Sequence, residues 1–123
     1  MTEKKYDLED RLIDFVIQID DIIEKLPNTR LANYLAGQMI RSGTSPALNY
    51  GEAQGAESTN DFIHKLKIIL KELRETFVCL KIIKRKPLIE PNDDLENTYI
   101  ENNELISIFV SSIKTAKRNK NKN

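Results

Sequence analysis

Tryptophan is absent from this 123-residue chain, cysteine and histidine occur once each, and charge of neither sign is in excess, with 19 lysines and arginines against 19 aspartates and glutamates. Each shortage excludes a class of function. A single cysteine, Cys79, permits no intramolecular disulfide and no cysteine-based zinc cage within one chain. Asp61 and His64 stand at i, i+3, the spacing of carboxylate-bridged dimetal bundles, but such a site needs a second pair and His64 has no counterpart. No apolar run approaches the roughly eighteen residues of a membrane span. The start, MTEKKYDLEDR, has no signal-peptide core, so a cytoplasmic location with no membrane partner is expected. Gly43, Gly51 and Gly55 lack the lysine and hydroxyl spacing of a phosphate cradle, and Ser42 and Ser45 have no histidine base nearby in sequence. No catalytic constellation, metal or cofactor is expected, and the chain reads as a non-enzyme.

What is present is helical periodicity. Apolar residues from Leu8 to Leu26, including Leu12, Phe15, Val16, Ile19, Ile22 and Ile23, hold one face at 3.6-residue spacing and predict a first helix over 7–26. Pro27 ends it, and Asn28 or Thr29 caps a second helix over 29–53, with Pro46 expected to bend it near Ser42 or Gly43. Gly55 closes that helix, and Ser58, Thr59 or Asn60 caps a third over 60–84. Beyond Pro87 and Pro91 a fourth is expected over 98–117, carrying Leu105, Phe109, Ile113 and Ala116. The length suits one domain, 1–117, followed by a flexible basic tail, 118–123. Four helices with mostly short connections predict an all-α, antiparallel up-down-up-down four-helix bundle.

Two features go beyond a generic bundle. The second helix turns from apolar to polar without changing face, because Gln38, Arg41, Ser42, Ser45, Asn49 and Glu52 follow Leu31, Tyr34 and Leu35 on one side. Buried polar groups are costly unless paired, so these residues, with Glu72, Arg74 and Glu75 of the third helix, are expected to form a hydrogen-bonded seam inside the bundle or between subunits. The third helix is also apolar on two sides. Phe62, Leu66, Ile69, Leu70, Leu73, Phe77 and Leu80 face the core, while Ile68, Val78, Cys79 and Ile82 lie nearly opposite. A helix apolar on two sides needs neighbours on two sides, so this second set is the candidate interface of a homo-oligomer. The alternative is that the connector over 86–97 folds across it.

Charge is segmented although its sum is zero: residues 60–86 carry eight bases against three acids, and 105–123 carry five bases and no acid. Lys65, Lys67, Lys71 and Arg74, with Lys117, Arg118, Lys120 and Lys122, are therefore the candidates for binding RNA or DNA through counterion release from phosphate. Two acidic groups are expected to compete for them. Glu90, Asp93, Asp94 and Glu96 should answer Lys84, Arg85 and Lys86, and Glu3, Asp7, Glu9 and Asp10 should answer the tail.

The run Gln38, Arg41, Ser42, Gly43, Thr44, Ser45, Asn49, Glu52 and Ala53 is followed by Gly55, Ala56, Ser58, Asp61, Phe62 and Lys65, then by Leu70, Lys71, Glu72, Arg74, Glu75 and Thr76. Together they resemble the small bacterial four-helix-bundle family that includes proteins encoded in intervening sequences of large-subunit ribosomal RNA genes. The likeness covers the second and third helices. It is similar, more distantly, to the accessory proteins of diversity-generating retroelements. The resemblance implies a ring-like homopentamer without established enzymatic activity. For the accessory branch it implies binding of nucleic acid and a reverse transcriptase through basic surface. The expectation is a non-enzymatic oligomeric scaffold with RNA or DNA as partner, the alternative being a module that recruits another bacterial protein and touches no nucleic acid.

Overall fold

A computed structural model describes residues 7–121, and these form four α-helices with no strand among them. Each of the first three helices starts where a short polar side chain can satisfy the backbone amides left open in a first turn. Asp7 and Asp10 form a reciprocal capping box ahead of α1 (Leu8–Glu24). The Thr29 hydroxyl accepts from the Ala32 amide ahead of α2 (Arg30–Gln54), and the Ser58 hydroxyl accepts from the Asp61 amide ahead of α3 (Thr59–Arg85). The last helix, α4, spans Asp93–Asn121, and the Asn92 side chain accepts from the Leu95 amide. It therefore starts before the expected Thr98 and runs beyond the expected Lys117, through residues 118–121 assigned by sequence to a flexible tail. No helix among the described residues is long and apolar enough to cross a membrane.

Every helix packs against its neighbours in sequence, and α1 also meets α4, which places α1 and α3 at opposite corners and α2 and α4 at the other two. Polar contacts mark how the helices lie alongside one another. Arg11, early in α1, reaches Glu101 and Glu104 of α4, whereas Lys25, just past the end of α1, reaches Asp94 at the start of α4. Between them lies one core. Leu12, Phe15, Ile19 and Ile22 of α1 meet Leu35 and Met39 of α2, Leu66, Ile69, Leu73 and Leu80 of α3, and Leu105 and Phe109 of α4. Tyr50 and Phe109 meet edge to face across the diagonal, 6.0 Å between centroids.

Two departures from the sequence pattern concern α3. Ile63 and Ile83 are buried, whereas Phe62, Leu70 and Phe77, read as core, lie half-buried on its flank. Cys79, read as an interface residue, belongs to the core of its own chain at 6% exposure, because the contact with α2 extends round the helix to cover it. The remaining interface candidates are Val78 and Ile82, both exposed, and Ile68, half-buried. The connector does not close over Val78 and Ile82, although its own Ile89 turns into the core.

Candidate nucleic-acid interface

Apart from the Arg11 contacts between α1 and α4, polar side chains gather at the α2–α3 contact and at the end of the bundle where α3 begins and α4 ends. At the first, the Ser42 and Thr76 hydroxyls lie 2.7 Å apart, both fully buried, and Thr76 also donates to the Glu72 carbonyl. One turn outward, the Arg41 guanidinium donates to Glu72 at 2.8 Å, Glu75 at 2.5 Å and Gln38 at 3.3 Å. Those bonds, to Glu75 foremost, push the arginine further above its usual range. Nearer the end of α2, Lys65 donates to Glu52 at 2.7 Å, which raises the lysine pKa.

These contacts lie within one chain, between helices two and three. The Asn49 amide turns back to Ser45 in its own helix, at 2.8 Å to the hydroxyl and 3.0 Å to the carbonyl, and does not reach α3. Arg74 stands outside the seam, exposed and without an ion pair among the described residues. Thr76 is the member that polarity alone did not select, though it lies at i+4 from Glu72 on the flank facing α2. Asn102 is another buried polar residue outside the expected set. Its amide donates to the Leu73 carbonyl at 3.0 Å, while its own carbonyl oxygen is buried with no partner among the described residues.

At the second place, Lys67 from α3 and Lys117 and Lys120 from α4 line an open cleft of about 350 Å³ with Asn60, Ile63, His64 and Asn121. Lys67 comes two turns into α3, while Lys117 is the last residue of the expected fourth helix and Lys120 projects from the part of α4 that continues past it. No carboxylate among the described residues lines the cleft. Lys120 donates to the Asn60 side-chain oxygen, which sets its ammonium at the rim. Three cations thus share one concavity with two amides and an imidazole, a donor set suited to phosphate oxygens.

Among the described residues the expected neutralisation of the tail is not seen. None of Lys117, Arg118 and Lys120 pairs with Asp7, Glu9 or Asp10, since the last turns of α4 lie beside the start of α3; Glu3 and Lys122 fall outside the described residues. The other expected neutralisation is partial: Lys84 pairs with Glu96 at 2.8 Å and stacks over Tyr99. Arg85 and Lys86 are exposed and unpaired among the described residues. Of the binding candidates, Lys65 is engaged by Glu52. Lys71 and Arg74 continue the exposed face of α3 beyond the cleft, and Arg118 is exposed on α4. The sequence assigns His64 no role beyond half of an incomplete metal pair; its place in the cleft depends on the last turn of α4.

A family model described as 23S rRNA-intervening sequence protein matches residues 4–111. Among solved structures, the chain is similar to a protein of unknown function from the S23 ribosomal protein family of Bacteroides thetaiotaomicron. The two are 32% identical, the match covers 88% of this chain and 99% of that one, and the TM-score is 0.79. No curated protein matches. The family match ends at residue 111, short of Lys117 and Lys120, so the α4 half of the cleft lies outside it.

Proposed function

The chain belongs to the 23S rRNA-intervening sequence protein family, and from that premise we propose a non-enzymatic, cytoplasmic scaffold whose antiparallel four-helix protomers form a homopentamer and hold RNA or DNA along the basic cleft. The observation that carries the nucleic-acid reading is the convergence of Lys67, Lys117 and Lys120 on one concavity that no carboxylate among the described residues lines. A chain of zero formal net charge gains affinity for a polyanion only where positive charge is locally uncompensated. This cleft is such a place, and Lys71 and Arg74 extend it along α3. One copy offers few phosphate contacts. Repeating the cleft around an oligomer raises apparent affinity through effective concentration without adding a contact.

Fluorescence anisotropy with labelled duplex and hairpin RNA across a salt series tests the reading. The wild-type protein should bind with an affinity that falls as salt rises, and replacing Lys67, Lys117 and Lys120 together with Glu should abolish binding at moderate salt. Each cation removed singly should lower the slope of log affinity against log salt by about one. Equal affinities for wild-type and triple variant, or no binding at low salt, would overturn the proposal. The partner would then be a protein, for which the outward residues Tyr34 and Leu48 of α2, each 65% exposed, offer an apolar surface.

A further inference from the structure

Helices α1 and α3 sit at opposite corners of the bundle, and each turns outward a stripe built on the same plan with opposite charge. On α1, Ile13 and Ile17 stand one turn apart, 47% and 56% exposed, and the next turn brings the exposed Asp20 and Asp21. On α3, Val78 and Ile82 stand one turn apart and exposed, and the next residues along the stripe are Arg85 and Lys86. None of these four charged residues has an ion pair among the described residues. Diagonal placement prevents the two stripes from meeting within one chain.

We propose that the α1 stripe of one copy docks on the α3 stripe of the next. The spacing fits without adjustment for helices running in the same sense. Setting Ile13 level with Val78 sets Ile17 level with Ile82, and puts Asp20 and Asp21 level with Arg85 and Lys86, because every one of these pairs is separated by the same number of residues. Docking like stripes in the same sense would instead bring like charges together, which costs affinity and disfavours that pairing. The contact is therefore heterologous. It propagates head to tail and closes where successive rotations complete a turn, with all copies keeping one sense about the ring axis. Lys67 and His64 lie at the other end of α3, so docking leaves the cleft itself open, while the same register sets Arg74 level with Glu9 of the docked copy and takes it out of the basic surface. This inference rests on the oligomeric part of the proposed function.

Charge reversal tests it on surface positions, with helicity followed by circular dichroism and mass by light scattering. The wild-type mass should be a multiple of the 14.2 kDa chain. Replacing Asp20 and Asp21 with Lys should reduce it to a single chain, as should replacing Arg85 and Lys86 with Glu, and combining all four changes should restore assembly. A wild-type oligomer that withstands both reversals would overturn the docking and leave the oligomer standing. A monomeric wild-type protein would remove the oligomeric reading and this inference together. Should a reversed variant lose helicity, disulfide trapping decides on a Cys79→Ala background. Ile17→Cys with Ile82→Cys should link copies rapidly, whereas faster linking of Ile17→Cys with Val78→Cys would show opposed senses and refute the register.

Discussion

The two flanks of α2 meet their neighbours by different chemistry. Towards α1 the contact is apolar and close: a Cβ added at Gly43 would lie 3.0 Å from Cγ2 of Ile19, and Phe15, Ile19 and Met39 are sealed from solvent. Towards α3 the contact holds the Ser42–Thr76 hydroxyl pair and the Arg41 cluster. An apolar contact stabilises in proportion to area and tolerates sliding, because one methyl group packs much like another. A hydroxyl pair stabilises little in total but penalises any shift that separates its members. One side of the helix therefore holds by packing alone, and the other adds to its packing a pair that fixes the axial position of α2 on α3.

The sharpest way to break this contrast is to empty the apolar side. Phe15→Ala removes a fully buried ring and should lower the unfolding free energy by ~3–5 kcal/mol, read from the urea midpoint. The polar side should respond less and non-additively. Thr76→Val leaves the Ser42 hydroxyl without its interhelical partner and should cost ~1–3 kcal/mol, whereas adding Ser42→Ala should recover much of that loss. Equal losses in the single and double variants would show that the pair does not act as a unit. Both single variants should keep the helical content of the parent.

Helix boundaries were legible where one residue forces them. Pro27, Thr29, Gly55 and Ser58 mark ends within a residue or two of where they fall, because a missing amide or a capping hydroxyl acts locally. The start of α4 was not legible. Its first turns contain Asn97, Asn102 and Asn103, which read as loop, yet Asn102 points inward and bonds a carbonyl of α3, a tertiary contact that outweighs weak local preference. Cys79 and Phe77 exchanged roles for a related reason. Burial around α3 depends on how far α2 and α4 wrap it, and periodicity reports a direction without the width of the covered arc. The seam was visible as misplaced polarity, but Thr76 lacked a charge to draw attention. The cleft needed the end of α4, where residues 118–121 continue the helix that a run of lysine and asparagine marks as tail.

Glycines on the same helix sharpen the comparison at smaller scale. Gly43→Ala gains up to about 1 kcal/mol of helix propensity but presses a methyl group on Ile19, itself only 1% exposed and unable to move aside. Overpacking of this kind costs ~1–3 kcal/mol, so a net loss of about 1 kcal/mol is expected. Nothing lies within 4 Å of a Cβ built at Gly51, and Gly51→Ala should raise stability by up to about 1 kcal/mol. Thermal midpoints measured side by side should therefore move in opposite directions. Movement in the same direction would mean that Ile19 yields and that the α1 flank is looser than its burial indicates.

The smallest effect belongs to the exposed end of the polar flank, where Lys65 meets Glu52. The bond to Glu52 raises the lysine pKa above its ordinary value of 10.5. A group whose pKa is raised on folding binds its proton more tightly in the folded state, so its contribution is fully present below the unfolded lysine pKa and declines as pH rises through the folded one. Wild-type protein should accordingly lose a small increment of stability above pH 10.5 that Glu52→Ala has already lost at neutral pH. Urea midpoints of the two proteins should converge as pH rises through that window. The gap at neutral pH should narrow in molar salt, because water and ions screen the exposed pair. A gap that held constant through both titrations would mean that Glu52 acts through packing of its stem, leaving the ion pair without effect on stability and confining the electrostatic part of the seam to Arg41 and its two glutamates.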